Sequence, residues 1–240
     1  MRAFGITAVV VAGLVGLTAP GRGGSPQAGA TVSGKVRFTG AKPVMAKIDM
    51  SDESVCKAKY TATPTEEAVV VNANGTLANV FVYVKSGLPA GYSAPAPAED
   101  VVLDQNGCRY HPHVLGIRVG QKLAIKNSDG ILHNIKAVGK ANRPFNVSQP
   151  TSMTTERTFA APEVMVPLEC NVHGWMHAYL GVMAHPFFAV TGTDGSFSLK
   201  GLPPGTYTIE AWHEKYGTQV ATVTVTAGGA KVQDFTFTAR

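Results

Sequence analysis

The chain has 240 residues, of which 45% are hydrophobic and 15% are charged, so it is long enough for one or two domains with a substantial apolar core. The formal net charge is +5, and Arg2 and Arg22 contribute two of these charges. Because the remaining charges are scattered and no basic run occurs, the composition argues against a nucleic-acid-binding protein.

The first 30 residues are predicted to be a secretory signal peptide, outside the mature fold. Arg2 supplies the positive start, residues 6–17 form an apolar run, and residues 28–30 are an A-x-A cleavage signature. An uncleaved anchor is the less favoured alternative, because the apolar run is too short for a permanent span. No later segment is apolar enough to cross a membrane, so we expect an exported protein, periplasmic or extracellular.

Short apolar runs separated by turn residues dominate the rest of the chain, whereas helical periodicity is weak. This pattern predicts an all-β fold. Residues 41–68 fit a long loop or a weak helix equally well, and the polar residues 139–157 are predicted to form a connecting loop. Strands are predicted at residues 31–38, 69–71, 80–84, 101–103, 122–126 and 178–183.

Residues 170–176 carry a thiol, an imidazole and a thioether on one short loop, from Cys170, His173 and Met176. A lone buried Cys or Met is usually a core residue. Three ligand types at this spacing, together with His133 upstream, favour a metal site instead. Two His, one Cys and a weak axial Met form the ligand set of a blue-copper electron-transfer site, and soft sulfur ligands select copper over Mg²⁺ or Ca²⁺.

The order of these residues resembles that of the cupredoxins, the blue-copper family of plastocyanin and amicyanin. That family has a His-Asn pair near the end of one strand and a Cys…His…Met loop between the last two strands. Here His133 and Asn134 are similar to the first element, and residues 170–176 to the short ligand loop of amicyanin. The resemblance covers roughly residues 100–185 and implies a Greek-key β-sandwich that binds one type 1 copper ion.

The resemblance also implies a role for each residue of the site. Cys170 would be the main covalent ligand, His133 would be the more buried imidazole, and His173 would lie near the surface on the electron path. Asn134 would tie the two ligand-bearing segments together, and Trp175 would help to exclude water.

The fourth ligand has competitors in the sequence. His177 directly follows Met176, and either residue could be the axial ligand. His113 is also near enough in sequence to be an alternative. A nitrogen in place of the thioether would change the colour and the reduction potential.

Once Cys170 is assigned to the metal, Cys56 and Cys108 remain. In an oxidising, exported setting these two are predicted to form a disulfide. The rival interpretation is a second metal cluster of Cys108 with His111 and His113. A single site of these three is disfavoured, because alternate side chains of an extended strand point to opposite faces.

Residues 193–207 show a second resemblance, to the carboxypeptidase regulatory-like or transthyretin-like β-sandwich and its TDGxFxxxxLPPGxY pattern. That family usually begins with strands similar to residues 32–36 and 78–82. Both ends of the chain would then build one sandwich with the cupredoxin-like unit inserted, although two tandem domains remain the simpler alternative. The predicted boundaries are 1–30 for the signal peptide, 31–91 for N-terminal strands of the regulatory-like sandwich, 92–186 for the cupredoxin-like copper domain and 187–240 for the regulatory-like sandwich.

These features predict an exported copper protein that carries single electrons between redox partners, such as a cytochrome or a copper enzyme, and that is not itself an enzyme. One alternative is a copper carrier or buffer without a redox role. Another is a non-metal adhesion or carbohydrate-binding protein that presents Trp212 and Tyr216 as an aromatic platform. Carboxypeptidase activity does not follow from the regulatory-like module, which is non-catalytic in its family.

Overall fold

The computed structural model describes Met1 and residues 28–239, so the predicted signal peptide lies almost entirely outside the described residues. Within these residues the fold is all-β, as predicted, with 17 strands and the four-residue helix α1 (Ser54–Lys57). No helix in this part of the chain has the length and hydropathy to span a membrane. The strands are β1 (Ala30–Thr39), β2 (Phe81–Ser86), β3 (Val101–Gln105), β4 (Tyr110–His111), β5 (Val114–Arg118), β6 (Lys122–Asn127), β7 (His133–Ala137), β8 (Phe145–Gln149), β9 (Met153–Thr158), β10 (Glu163–Glu169), β11 (His177–Met183), β12 (Phe188–Val190), β13 (Ser196–Leu202), β14 (Gly205–His213), β15 (Gly217–Val225), β16 (Ala230–Val232) and β17 (Phe235–Thr238).

Both ends of the chain build one two-sheet unit, here called the outer sandwich (β1, β2 and β12–β17). Strand β1 pairs with β13, β16 and β17 in one sheet, and the other sheet has the order β12-β2-β14-β15. Alternate side chains of β1 and β14 point into its core, among them Val32, Val36, Tyr207 and Ile209. Since β1 and β2 pair with strands beyond residue 187, strands β3–β11 form an insertion between β2 and β12.

The inserted sandwich (β3–β11) carries the residues of the predicted copper site. Its two sheets have the orders β4-β3-β6-β9 and β5-β11-β10-β7-β8, with β3 parallel to β6 and β5 parallel to β11. Strands β10 and β11 are antiparallel neighbours, and the loop between them is residues 170–176. Strand β7 pairs with β10 in a register that joins Leu168 to Ala137 and Glu169 to Lys136. This register brings His133, at the start of β7, to the same end of the sheet as the loop.

The segment between β1 and β2 does not belong wholly to the outer sandwich, which corrects the prediction for residues 31–91. Ile48, Met50 and Cys56 are buried in the core of the inserted sandwich. Most of the segment is irregular, and α1 is its only helix. A polar stretch with a few spaced apolar residues is typical of a covering loop, and here it covers the end of the inserted sandwich that carries residues 170–176.

Two predictions of local structure are wrong. Residues 139–157, predicted as a loop, include β8 and part of β9. The residues of β9 are mostly polar because this strand lies at the edge of its sheet and is largely exposed. The Val-rich residues 69–71 form no strand and make only a single bridge, from Val71 to Leu77. The apolar character of residues 69–71 reflects packing against the outer core, where Val69 is buried.

Strand β2 joins the two sandwiches because it is buried on both faces. Val82 and Val84 point into the outer core, whereas Phe81 and Tyr83 point the other way into a seam between the sandwiches. The seam is defined by Phe81, Tyr83, Val114, Met165 and Met183. An unbroken apolar run is what a strand covered on both sides requires.

Glu163, at the start of β10, anchors the loop that follows β7. Its carboxylate accepts hydrogen bonds from the backbone N–H groups of Lys140, Ala141 and Asn142 at 2.5, 3.1 and 3.0 Å. Partial burial raises the pKa of Glu163, but these hydrogen bonds outweigh it and the pKa lies below its usual value. The anchor is therefore strongest when the carboxylate is ionised.

We expect Glu163→Gln to lower the free energy of unfolding at pH 7 by about 1 kcal/mol, a hydrogen-bond contribution reduced for the exposure of the group. A carboxyl whose folded-state pKa is depressed stabilises the fold above its unfolded-state pKa and loses this effect as the pH falls through the folded-state pKa. The difference between wild type and variant should therefore begin to shrink below about pH 4.3, the usual pKa of Glu, and disappear only below the lower folded-state pKa. Urea denaturation at pH 7 and at low pH measures it. Glu156→Gln, on a surface ion pair with Lys122, is the control and should change little at either pH. A difference that persists at low pH would contradict the carboxylate's role.

Candidate metal centre

Three predicted ligands converge at the end of the inserted sandwich. The Nδ1 atoms of His133 and His173 are 2.9 Å apart, and Cys170 Sγ is 3.9 Å from His173 Nδ1. The three donor atoms all lie within 4.8 Å of one another, and all three residues are buried. β7 supplies His133, and the loop between β10 and β11 supplies the other two.

The donor atoms fit one shared transition-metal ion. Nitrogen and sulfur ligands lie about 2.0–2.3 Å from a bound ion such as zinc, so two donors of one ion are separated by at most about 4.5 Å. The separations of 2.9 Å between the two imidazole nitrogens and 3.9 Å between Cys170 Sγ and His173 Nδ1 fall within that limit. A thiolate with two imidazoles suits copper or zinc and does not suit Mg²⁺ or Ca²⁺.

The fourth predicted ligand, Met176, is buried in the same core as Cys170. Backbone hydrogen bonds close the loop around it: Met176 N–H donates to the His173 carbonyl at 2.9 Å, and Cys170 N–H donates to the Met176 carbonyl at 3.1 Å. The loop therefore holds the thiol, the imidazole and the thioether of its three candidate ligands in one compact turn.

The site favours the thiolate form of Cys170. Burial raises the pKa of the thiol, but hydrogen bonds from His133, His173 and nearby backbone N–H groups have the larger effect and lower the pKa to about 5. Burial lowers the pKa of His133, yet its hydrogen bonds to Asp129 and Cys170 raise it overall. The surroundings therefore favour the thiolate, which is the form that a metal ligand needs.

Asp129 holds His133 in place and was not predicted as a site residue. His133 Nε2 donates to Asp129 Oδ2 at 2.9 Å, which leaves Nδ1 directed at Cys170 and His173. The fully buried carboxylate also accepts the backbone N–H groups of Gly107 and Cys108, both at 2.7 Å, and pairs with Lys59 Nζ at 2.9 Å. Although burial alone would raise the pKa of Asp129, these four donors lower it far below its usual value. The signal in the sequence was an Asp four residues before the ligand, in the turn between β6 and β7.

The two predicted supporting residues both bridge separate segments. The side chain of Asn134 on β7 accepts the Asn171 N–H at 2.6 Å, which links β7 to the ligand loop. Trp175 Nε1 donates to the Cys108 carbonyl at 2.9 Å, and its ring lies 5.2 Å from the His173 ring, centroid to centroid. Both contacts hold the ligand loop against the rest of the site.

His173 is not near the surface, which corrects the role implied by the resemblance. Only 1% of this residue is exposed, compared with 0% for His133. Its outer nitrogen, Nε2, lies 3.8 Å from Cys56 Sγ and 3.9 Å from the Glu53 carboxylate. The segment that contains α1 therefore covers the imidazole edge, an arrangement that depends on long-range packing.

Cys56 and Cys108 form a disulfide with an S–S distance of 2.00 Å. It joins the covering segment to the turn before β4, next to the carboxylate of Asp129. The alternative cluster of Cys108 with both neighbouring His residues is therefore wrong: His111 is exposed and bonds to the Asn106 carbonyl, and Cys108 is in the disulfide.

The alternative ligands His113 and His177 are not in the group formed by His133, Cys170 and His173. They lie together instead, with ring centroids 5.1 Å apart, beside Glu214 of the outer sandwich. The alternation along β11 explains this result, because His177 begins that strand and points away from the Cys170 side.

The predicted aromatic platform is absent from the described surface. The Tyr216 residue is buried, with its ring packed against those of His213 and Phe38. Trp212 packs against Tyr179 in the seam region, with 5.0 Å between ring centroids. Tyr216 is buried and Trp212 is partly buried, so the two rings do not form the exposed platform that the adhesion or carbohydrate-binding alternative required.

Comparison with known families confirms the second resemblance. Residues 183–238 match the model of the carboxypeptidase regulatory-like domain, so the match begins at the end of β11 and includes β12–β17. Strands β1 and β2, which complete the outer sandwich, lie outside the matched range. No curated protein sequence matches the chain significantly.

Cupredoxins are among the solved structures similar to this one. An oxidised point mutant of amicyanin is 19% identical over 42% of this chain and 98% of its own, with a TM-score of 0.32. A purple cupredoxin from Nitrosopumilus maritimus is 22% identical over 36% of this chain and 100% of its own, with a TM-score of 0.30. The Cu-containing nitrite reductase from Thermus scotoductus SA-01 is 21% identical, with a TM-score of 0.34, over 41% of this chain but only 25% of the reductase. At these values the similarity says nothing about ligand or reaction.

Proposed function

We propose that this chain is an exported type 1 copper protein that carries single electrons between redox partner proteins and catalyses no reaction of its own. The observation that carries the proposal is the buried group of His133, Cys170 and His173, with Met176 in the same core. Two imidazoles, a thiolate and a weak thioether are the ligand set that suits copper in electron-transfer sites.

When bound, copper supplies a one-electron couple between its two oxidation states. The protein's task is to hold the ligands in place, so that little rearrangement accompanies the transfer. Asp129 fixes the ring of His133, and Asn134 fixes the ligand loop through the Asn171 N–H. The Trp175 ring beside His173 helps to exclude water from the ligands.

An exported location is supported by the Cys56–Cys108 disulfide, because disulfides persist in oxidising compartments. The signal peptide predicted at residues 1–30 would direct this export. The proposed protein acts without a nucleic-acid partner and without a permanent membrane span.

Exposed apolar side chains adjoin the site and offer a surface for a redox partner. Val172, Leu132 and Val55 are 42%, 44% and 48% exposed. They directly neighbour His173, His133 and Cys56 in the chain. A partner docked there would meet the covering segment, because the imidazole edge of His173 is buried under it.

The proposal is tested by the visible absorption spectrum of the mature protein with one equivalent of Cu²⁺, wild type beside Cys170→Ala. We expect an intense thiolate-to-copper charge-transfer band in the wild type and none in the variant. His111→Ala, which changes an exposed imidazole outside the group, is the matched control and should keep the band. A wild-type protein that retains no copper after dialysis, or a band that survives in Cys170→Ala, would overturn the proposal.

A second measurement separates electron transfer from the carrier or buffer alternative. Voltammetry of the copper-loaded protein should give a reversible one-electron wave, with the ion retained in both oxidation states. Release of copper on reduction would favour the carrier instead. The ligand set serves both functions, but the chain has no Met-rich or His-rich tracts of the kind a carrier would gain from.

A further inference from the structure

A second group of potential metal ligands lies between the two sandwiches. His113 and His177 come from the inserted sandwich, and Glu214 follows β14 of the outer sandwich. One ligand atom from each residue lies within 4.8 Å of the other two, and His113 Nε2 is 2.6 Å from Glu214 Oε2. His113 is 5% exposed and the side chain of Glu214 is 10% exposed, so two of the three residues are largely removed from water.

The orientation of His177 fits a metal ligand. Its Nδ1 lies 3.1 Å from the Trp175 carbonyl, so that nitrogen carries the proton and donates it. The other nitrogen, Nε2, is then free to act as an acceptor. A metal-bound His usually donates its second ring nitrogen to a carbonyl or carboxylate in this way, which fixes the tautomer and the ring orientation.

The surroundings leave room for one further ligand. A cavity of about 10 Å³, about the size of one water molecule, is lined by both imidazoles but not by Glu214; its other lining residues include Arg109, Trp175 and Met176. Elsewhere the contact between the sandwiches is apolar and aromatic, with Tyr179 packed edge-on against the rings of both His113 and His177. Two imidazoles and a carboxylate gathered beside such a seam are costly to bury unless each has a partner.

We infer that His113, His177 and Glu214 form a second metal site that binds a divalent transition-metal ion of the zinc or copper kind and joins the two sandwiches. Two imidazoles with one carboxylate are an established ligand set for zinc, with a water in the fourth position. The site has no sulfur ligand, so its preference is for N/O-binding ions, unlike the group around Cys170. The inference does not depend on the proposed function, because none of its ligands belongs to that group.

Zn²⁺ is the probe, and Cys170→Ala is the background, because this variant lacks the thiolate of the first site. Bound zinc is counted after gel filtration, and affinity is measured by calorimetry, for three double variants that add Glu214→Gln, His177→Ala or His111→Ala. We expect the first two to lose one equivalent of zinc or to bind it at least tenfold more weakly, a loss that even an outer-sphere partner of a metal produces. His111→Ala, which removes an exposed imidazole two residues from His113, should change nothing.

The result that would overturn the inference is equal zinc stoichiometry and affinity in all four proteins, which would leave His113 and Glu214 as a hydrogen-bonded pair only. Zinc binding lost in the His111→Ala variant as well would also overturn it, because the binding would then be adventitious. Folding is checked by near-UV circular dichroism, and Glu214→Gln guards against misfolding because glutamine keeps the shape and a hydrogen bond to His113. A Co²⁺ spectrum of the Cys170→Ala background should show d–d bands without thiolate charge transfer, and Glu214→Gln should weaken them.

Discussion

Replacing Asp129 by Asn is expected to weaken copper binding by about 10- to 100-fold, the loss typical of removing an outer partner of a metal-binding His. The neutral amide can no longer hold the His133 imidazole as the carboxylate does, so the ring loses its fixed orientation. The ionised group also has Lys59 and two backbone N–H groups as partners, at 2.7–2.9 Å. Competition with a chromophoric copper chelator measures the affinity.

The same substitution should lower the free energy of unfolding by about 3–5 kcal/mol, the cost of removing one partner from a buried charged network. The Asp129 side chain is 0% exposed, so water cannot replace the lost partner. Asp100→Asn is the matched control. The side chain of Asp100 is 37% exposed, and its ion pair with Lys122 is long, at 3.9 Å, so we expect little change in stability. Copper affinity within twofold of wild type in Asp129→Asn would contradict the role of Asp129, whereas loss of stability alone would limit it to the fold.

Replacing Phe81 by Ala should lower the free energy of unfolding by about 3–5 kcal/mol, the usual cost of emptying a buried aromatic position. Phe81 is 0% exposed and stacks on Phe188 with 5.6 Å between ring centroids. Its ring lies against a flat surface made by Gly116 and Gly181, which are paired across the parallel strands β5 and β11. The loss would therefore open a cavity in the seam between the sandwiches.

Substitution of a glycine under the Phe81 ring gives a second test of the same contact. A Cβ at Gly181 would lie 2.5 Å from the Phe81 ring, so Gly181→Ala should cost about 1–3 kcal/mol through overpacking. Combined with Phe81→Ala, the same Gly181→Ala change should cost less, because the clash with the ring is removed and only the 2.8 Å contact with Met165 Cε remains. Gly192→Ala is the control, since a Cβ there meets nothing within 4 Å. Urea denaturation of the wild type, the two single variants and the double variant gives the coupling energy between Phe81 and Gly181. Strict additivity of Phe81→Ala and Gly181→Ala would contradict the contact.

Much of the candidate site could be predicted because its ligands have distinctive chemistry and are close together in the chain. Cys170, His173 and Met176 lie on one loop of seven residues, so local spacing alone brings them together. His133 could be predicted because it belongs to a His-Asn pair that precedes the loop, in the order that the resemblance implies. The second resemblance likewise depended on a local pattern at residues 193–207, within the matched range 183–238.

Contacts between segments far apart in the chain could not be predicted, because no local pattern encodes them. The covering of His173 by Cys56 and Glu53 spans more than 100 residues, and it removed the exposed imidazole that the resemblance implied. Glu214 meets His113 only because the outer sandwich packs against the inserted one. The residues around Glu53 and Glu214 in the sequence give no sign that these two carboxylates meet a histidine.

The sequence by itself determined the all-β class, the ligand loop and the regulatory-like pattern, since each depends on side-chain alternation or on short spacing. Only the tertiary structure decided that β1 and β2 pair with strands beyond residue 187, that β2 is covered on both faces, and that Asp129 holds His133. The physical reason is that strand pairing and burial are set by the total apolar surface removed from water. That quantity belongs to the packed molecule and not to any one segment.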